Sequence, residues 1–242
     1  MAEAARFALL PGLGIEPTVQ VLVREALDEA LTTAEGEASH VVTVLDAGCG
    51  RVSALRQFRS RIGRMVGADI HEPAEPLPHL DEFAIVDLCG PPDAFAPGTF
   101  DVVLSNFTLE HFADPLAALT NLRAWIRPGG TLVVTTVNRR HPFVAVYLAM
   151  PDGPRHAIQP LVKASEADAH PLVGICNDPA TIRRDLETAG FTDIRLRTVG
   201  HLARAWGRHL PTFAVGLAGD LLASRTPSRR STIVAVARTP SV

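Results

Sequence analysis

Cysteine is scarce, and its placement argues against both disulfide and metal chemistry. Cys49, Cys89 and Cys176 are widely spaced and odd in number, with no C-x-x-C or Cys/His zinc spacing. A reducing compartment, the cytoplasm, is therefore the expected location. No apolar run approaches the ~18 residues of a membrane span. The first residues lack the basic start and apolar stretch of a secretory signal. Neither stable membrane insertion nor export is expected. Aromatics are only 5% of the chain, too few for an evident base-stacking surface, and the net charge is −3. Nucleic acid is accordingly not an expected partner. The chain also has no internal repeat and no low-complexity tract.

What is present is apolar and finely divided. Hydrophobic residues make up 47% of the 242 residues, enough for one well-buried core. Residues 19–34 repeat apolar side chains at i, i+3 and i+4 and predict an amphipathic helix. Short apolar runs at 41–46, 65–70, 83–88, 100–106 and 131–137 have strand character. Helical patterns fit between several of them, at 52–62 and 114–127. Strands apolar on both faces that alternate with helices predict a doubly wound α/β sheet. Asp114-Pro115 opens the second of these helices, and Pro128-Gly129-Gly130 stops it. Residues 139–176 carry no clear period. Asp178-Pro179 caps a further helix over 179–189, two strands are expected at 191–199 and 231–238, and 201–224 has apolar helical spacing. The arginines clustered in the last third read as a solvated face, and the apolar 210–222 stretch as core or interface.

The strongest local signal is Val44-Leu45-Asp46-Ala47-Gly48-Cys49-Gly50, an apolar strand running into an acid and then two glycines. Glycines so placed let the backbone turn sharply and approach a ligand closely. A second acid, Asp69, ends the run Met65–Ile70 and lies 23 residues beyond Asp46. That is about the distance at which nucleotide-binding βαβ units place a carboxylate on a ribose. The pair points to a nucleoside-containing cofactor.

These pieces, with Gly67-Ala68-Asp69-Ile70, Val86-Asp87-Leu88, Phe100 to Asn106, Leu109-Glu110-His111, Asp114-Pro115 and Arg127 to Leu132, follow one another at fitting distances. In that order they resemble the class I S-adenosylmethionine-dependent methyltransferases, of the bacterial type called methyltransferase domain 11. The likeness covers residues 40–200. It implies a Rossmann-like seven-stranded sheet of order 3-2-1-4-5-7-6 with strand 7 antiparallel. It also implies a single methyltransferase domain over 1–242, with a helical segment at 1–40 and variable acceptor or lid segments at 139–176 and 201–230. S-adenosyl-L-methionine is the implied cofactor and a small-molecule, lipid-like or saccharide acceptor the implied partner, in a monomer or homodimer. The family often has a third glycine where this chain has Val52.

The resemblance implies that Asp46, Gly48 and Gly50 shape the methionine end of the cofactor site and that Asp69 accepts from the ribose. Ile70 would face the adenine, Asp87 and Leu88 would bind its edge, and Asn106 and Phe107 would line the reacting end. Proton removal calls for a group titrating near neutrality, and His111 or His141 could serve as a general base. His156 and His170 read as loop residues, and Cys49 as a small packing residue. No metal ligand set is expected. Two alternatives stand beside transfer: a cofactor-binding regulator or scaffold without turnover, and a NAD(P)-binding oxidoreductase. The second is disfavoured because Ser53 occupies the third glycine position of G-x-G-x-x-G.

Overall fold

A computed structural model describes residues 2–8, 10–13, 15, 17–37, 40–51, 53–151, 153–154, 157–158 and 177–241. Val52, His156 and all of 159–176, with His170 and Cys176, lie outside the described residues. Seven strands form one sheet: β1 (Thr43–Ala47), β2 (Arg64–Asp69), β3 (Glu82–Ile85), β4 (Phe100–Asn106), β5 (Ile126–Val137), β6 (Thr192–Val199) and β7 (Thr232–Arg238). Their order is β3-β2-β1-β4-β5-β7-β6. The first five are mutually parallel, and β7 runs antiparallel to both of its neighbours. The expected topology and the antiparallel strand are both present.

The described helices are α1 (Ala2–Phe7), α2 (Val19–Glu37), α3 (Pro115–Trp125), α4 (Pro142–Ala149), α5 (Pro179–Thr188), α6 (Leu202–Ala205) and α7 (Leu210–Ser224). Period-two alternation sends the two sides of β1 into separate cores. Leu45 and Ala47 pack with Leu119, Leu122 and Trp125 of α3 and with Ile182 and Leu186 of α5. Val44 packs on the other face with Leu22, Leu27 and Leu31 of α2 and with Leu55 and Phe58. The eight α2 positions that carry the helical period, from Val19 to Ala34, are the buried ones. Trp125 is wholly buried, donates its indole N–H to the Pro92 carbonyl (2.8 Å) and takes Phe95 edge-on with ring centroids 5.1 Å apart.

Several boundaries differ from the sequence expectation for local reasons. The 52–62 segment forms a 3₁₀ helix over Ala54–Arg61, capped by Ser53, whose hydroxyl accepts from the Leu55 N–H (3.1 Å). Its buried residues, Leu55 and Phe58, are three apart, as a three-residue turn requires. β3 stops at Ile85, short of 88, because Asp87 starts a turn: its carboxylate accepts from Cys89 N–H (2.9 Å) and its carbonyl from Gly90 N–H (2.9 Å). α3 ends at Trp125, and the Arg127–Gly130 stretch becomes an irregularity inside β5, with the pairing register shifting between Phe100 and Val102. Residues 201–224 hold two helices instead of one, broken where Gly207 N–H bonds the Arg204 carbonyl. α4 lies within a segment that shows no period in the sequence.

Replacing Trp125 by alanine removes the largest buried side chain of the α3 core and strands the Pro92 carbonyl. The expected loss is about 3–5 kcal/mol of unfolding free energy, read by urea denaturation. A loss below about 1 kcal/mol would show that this ring does not anchor α3 to the sheet.

Candidate active site

The parallel strands deliver their carboxyl ends to one edge, where open α/β sheets bind ligands. Asp46 pairs in register with Gly67, and Ala47 with Ala68. Beyond Ala47 the chain bends over β2: Gly48 and Cys49 both donate to the Ala68 carbonyl, at 2.7 and 3.2 Å. Gly48 and Gly50 take φ of +74° and +50°, the left-handed region that glycine enters without penalty. Gly50 then donates its N–H to the Asp69 carboxylate at 3.1 Å. The other Asp69 oxygen accepts from His71 N–H at 3.3 Å. Asp69 thus closes the hinge while each of its oxygens keeps further acceptor capacity.

The two glycines serve different purposes. A Cβ on Gly48 would lie 2.2 Å from the Thr108 methyl, so this glycine makes room for Thr108, whose hydroxyl lies 3.4 and 3.3 Å from the Ala47 and Gly48 carbonyls. A Cβ on Gly50 would meet open space. Approach by a ligand therefore falls to Gly50. Cys49 packs inward, its Sγ 3.0 Å from where a Gly67 Cβ would lie. Burial, reinforced by Asp46 and Asp69, pushes its thiol up to about 12, so it is a packing residue without thiolate character.

Asp46 is buried at the base of this hinge, at 1% exposure. Desolvation, countered by a hydrogen bond from Ser53 and helped by the Asp69 charge, lifts its carboxyl to about 7. Its Oδ2 has no hydrogen-bond partner. An acid so placed is poised to gain from a cation brought beside it.

On the neighbouring strands, Val86 N–H donates to the Asp69 carbonyl (2.8 Å) and brings the Asp87 turn alongside. Leu88 is core, its carbonyl accepting from the Asn121 amide at 3.0 Å. Ile70 is 54% exposed, an apolar surface bordering the hinge. At the end of β4, Asn106 Oδ1 accepts from Thr135 Oγ1 at 2.6 Å. Phe107 adopts φ +55°, unusual for an aromatic residue. Its N–H donates to both the carbonyl and the hydroxyl of Thr135, each at 3.0 Å, and its ring stacks on His201 at 5.7 Å between centroids. The nine cofactor positions named from sequence therefore lie together along the ends of β1 to β4.

The two histidines part company. His111 ends the short 3₁₀ turn Leu109–His111 and is partly exposed beside Phe107 and Thr108 in sequence. His141 is fully buried and caps α4: Nδ1 accepts from the N–H groups of Phe143 (3.3 Å) and Val144 (3.5 Å). Its Nε2 lies 4.0 Å from Asp220 Oδ1, and burial lowers its basicity. The structure thus gives His141 a capping role away from solvent.

Two further groups take part: Glu110, named in sequence within a motif but given no role, and Asp220, not singled out at all. Glu110 is buried and accepts from Thr136 Oγ1 (2.9 Å), which itself accepts from the Asn177 amide. Asp220, on α7, accepts from Ser231 Oγ (2.9 Å) and Ala203 N–H (2.8 Å), and Ser231 Oγ accepts from the His201 N–H (2.7 Å). This chain of bonds seats His201 against Phe107. Burial, with Arg204 nearby, drops the His201 imidazole to about 4, so the ring is neutral and only weakly basic. Only the pairing of β6 and β7 brings residues 201, 220 and 231 together, and no local spacing announces that.

Residues 18–196, about three quarters of the chain, match the family model described as a methyltransferase domain. A ubiquinone biosynthesis O-methyltransferase of Cereibacter sphaeroides is 37% identical over 103 residues, 40% of this chain and 41% of that one. The chain thus spans about two-fifths of that curated relative. Among solved structures, the cyclase SpnF superposes with a TM-score of 0.58 at 17% identity, over 92% of this chain and 81% of its own. Geranyl diphosphate C-methyltransferase from Streptomyces coelicolor, solved with S-adenosyl-L-homocysteine, gives 0.55 at 16% identity, over 89% and 79%. The two structural likenesses bear on the fold, which they share with this sheet. No described helix is long and apolar enough to cross a membrane. The glycine hinge, the open face of Gly50 and the unpartnered Asp46 oxygen fit an adenosyl sulfonium, and the chain belongs to the family of S-adenosylmethionine-dependent methyltransferases.

Proposed function

We propose that this protein transfers a methyl group from S-adenosylmethionine to a hydroxyl of a small-molecule acceptor, within a single domain formed by residues 1–242. The observation that carries the reading is the closed hinge, in which Asp69 holds Gly50 while the buried Asp46 beneath it, its carboxyl lifted to about 7, keeps one oxygen without a partner. When bound, the cofactor supplies an activated sulfonium-borne methyl group, so the chain's own task is alignment, exclusion of water and management of one proton. Asp69 receives the ribose hydroxyls on its remaining acceptor sites. Ile70 lies against the adenine, and Asp87 and the Leu88 backbone hold its edge. Gly48 and Gly50 shape the backbone around the amino-acid end, and Asn106 and Phe107 border the reacting end. His111, partly exposed in the loop after β4, takes the acceptor proton. His141 supports that wall as the cap of α4. A hydroxyl acceptor agrees with the name of the Cereibacter relative, and α4, α6 and α7 supply the acceptor side.

Calorimetry with S-adenosylmethionine tests the binding half. The Asp69→Ala variant loses a charged acceptor and weakens binding by roughly 1.5–3 kcal/mol, or about 10- to 150-fold. An unchanged dissociation constant sinks the ribose assignment. Binding without labelled product from a pool of hydroxylated acceptors favours the scaffold reading over transfer.

Asp46 adds a pH signature. In the free protein its carboxyl is protonated up to about pH 7, whereas in the unfolded chain it ionises near its ordinary value of 3.8. The folded state therefore binds the extra proton, and this group's contribution makes stability fall as pH rises between those values. A bound cation favours the ionised carboxylate, so affinity for S-adenosylmethionine climbs through the same window and levels off above it. The Asp46→Asn variant flattens both profiles, in urea denaturation and in calorimetry across pH 5 to 8. Parallel profiles for variant and parent would remove Asp46 from the site's charge balance.

A further inference from the structure

α7 breaks the rule for a surface helix. Its inward face carries Phe213, Gly216, Gly219, Asp220 and Ala223. Its outward face, which should be polar, carries Leu210, Ala214, Val215, Ala218, Leu221 and Leu222, all exposed. Leu222 is 70% exposed and Leu210 65%. α4 lies alongside: a Cβ on Gly219 would come within 2.9 Å of His141 and 2.8 Å of Phe143. Its exposed residues, Pro142, Ala145, Val146 and Ala149, are apolar too. Two adjacent helices thus present an uncharged apolar surface at the edge of the sheet that holds the candidate active site.

The rim of this surface has one sign of charge. Arg208 precedes α7, and Arg225 and Arg229 follow it, all exposed and without an ion pair among the described residues. Between residues 200 and 231 the only acid is Asp220, which is buried. Residues 139–150 contain Arg139 and Arg140 and no acid, though Arg140 lies 3.8 Å from the Asp178 carboxylate, so the rim's charge rests on the arginines that flank α7. The chain as a whole carries a net charge of −3, so this is a local inversion. An apolar strip bordered by arginine matches the interface of a bilayer bearing anionic headgroups. A second copy is a poorer occupant: two α7 helices paired antiparallel along their length about a two-fold axis would bring Arg208 of one toward Arg225 and Arg229 of the other, like charge on like. At 15 residues α7 is too short to span a bilayer and suits lying in its surface.

We propose that the α4–α7 face docks on anionic phospholipid membranes, with the apolar side chains entering the headgroup boundary and the arginines meeting the headgroups. The proposal does not rest on methyl transfer, and its test requires no turnover. The full chain is sedimented with vesicles of phosphatidylcholine alone and of phosphatidylcholine mixed with phosphatidylglycerol, with light scattering in parallel. Binding to the mixed vesicles, little to the neutral ones, and loss of binding in Leu222→Glu and Leu210→Gln are expected. The Arg225→Ala/Arg229→Ala double variant, which leaves the apolar face intact, should bind roughly 10- to 30-fold more weakly, at about three- to fivefold per arginine. All variants should keep the parent's urea midpoint, because every substituted side chain is exposed. Absence of binding to the mixed vesicles overturns the proposal. So does undiminished binding by the properly folded Leu222→Glu and Leu210→Gln variants, or self-association through this face with no vesicle binding.

Discussion

The pairing of β1 with β2 sets the geometry of everything at the carboxyl edge. One carbonyl, that of Ala68, accepts from two successive N–H groups, Gly48 and Cys49. That pair of hydrogen bonds turns the chain across the end of β2, and the next N–H, of Gly50, then reaches the Asp69 carboxylate. A residue with a Cβ at 48 would collide with Thr108, and at 67 with Leu80 and Cys49. The hinge is therefore fixed by close packing on both sides before any ligand arrives. This is the preorganisation that a site for a flexible cofactor needs, because ordering the loop at the moment of binding would subtract from affinity.

Charge is handled differently in the interior than at this edge. His141, Asp220 and His201 sit near one another, and burial moves each toward its neutral form: the carboxyl up, the imidazoles down. Ser231 and the backbone of α6 satisfy Asp220 with hydrogen bonds in place of an ion pair. Neutral, hydrogen-bonded groups spare the large desolvation penalty of a buried ion pair. Asp46 is a buried carboxyl without such a network: Ser53 alone among side chains bonds it, and its Oδ2 has no partner. The carboxyl under α7 is satisfied on both oxygens, by Ser231 and the Ala203 N–H, whereas the carboxyl at the strand edge keeps one oxygen open.

Local rules carried the sequence reading far along the sheet and failed where distant segments meet. The helical period of α2 named all eight of its buried residues, and Asp114-Pro115 and Asp178-Pro179 cap α3 and α5 as their chemistry requires. The acids and glycines at the strand ends were legible because each strand places its ligand-facing residue at its own terminus. The left-handed Phe107 was not, since it is enforced by Thr135 on another strand. Nor was the fate of His141: a histidine before a proline reads equally well as a base or as a cap, and only the packing of Gly219 against it decides. α7 was legible only as an open alternative. Apolar residues on both faces read equally as core or interface, and the structure buries one face and exposes the other.

The site thus has two halves built on different principles. The half formed by β1 to β4 is rigid, because each group is held by backbone bonds within parallel strands. The half formed by α4, α6 and α7 is held by a few side-chain bonds that converge on Asp220 and Ser231, and by glycines that let helices approach. Such contacts can be exchanged without disturbing the sheet. SpnF is a cyclase with the same fold, so the sheet by itself does not dictate the reaction. The exchangeable half also carries Val146, Leu210, Val215, Leu221 and Leu222, five of the nine large exposed apolar side chains among the described residues, so the contacts most easily exchanged lie beneath the surface that most favours leaving water.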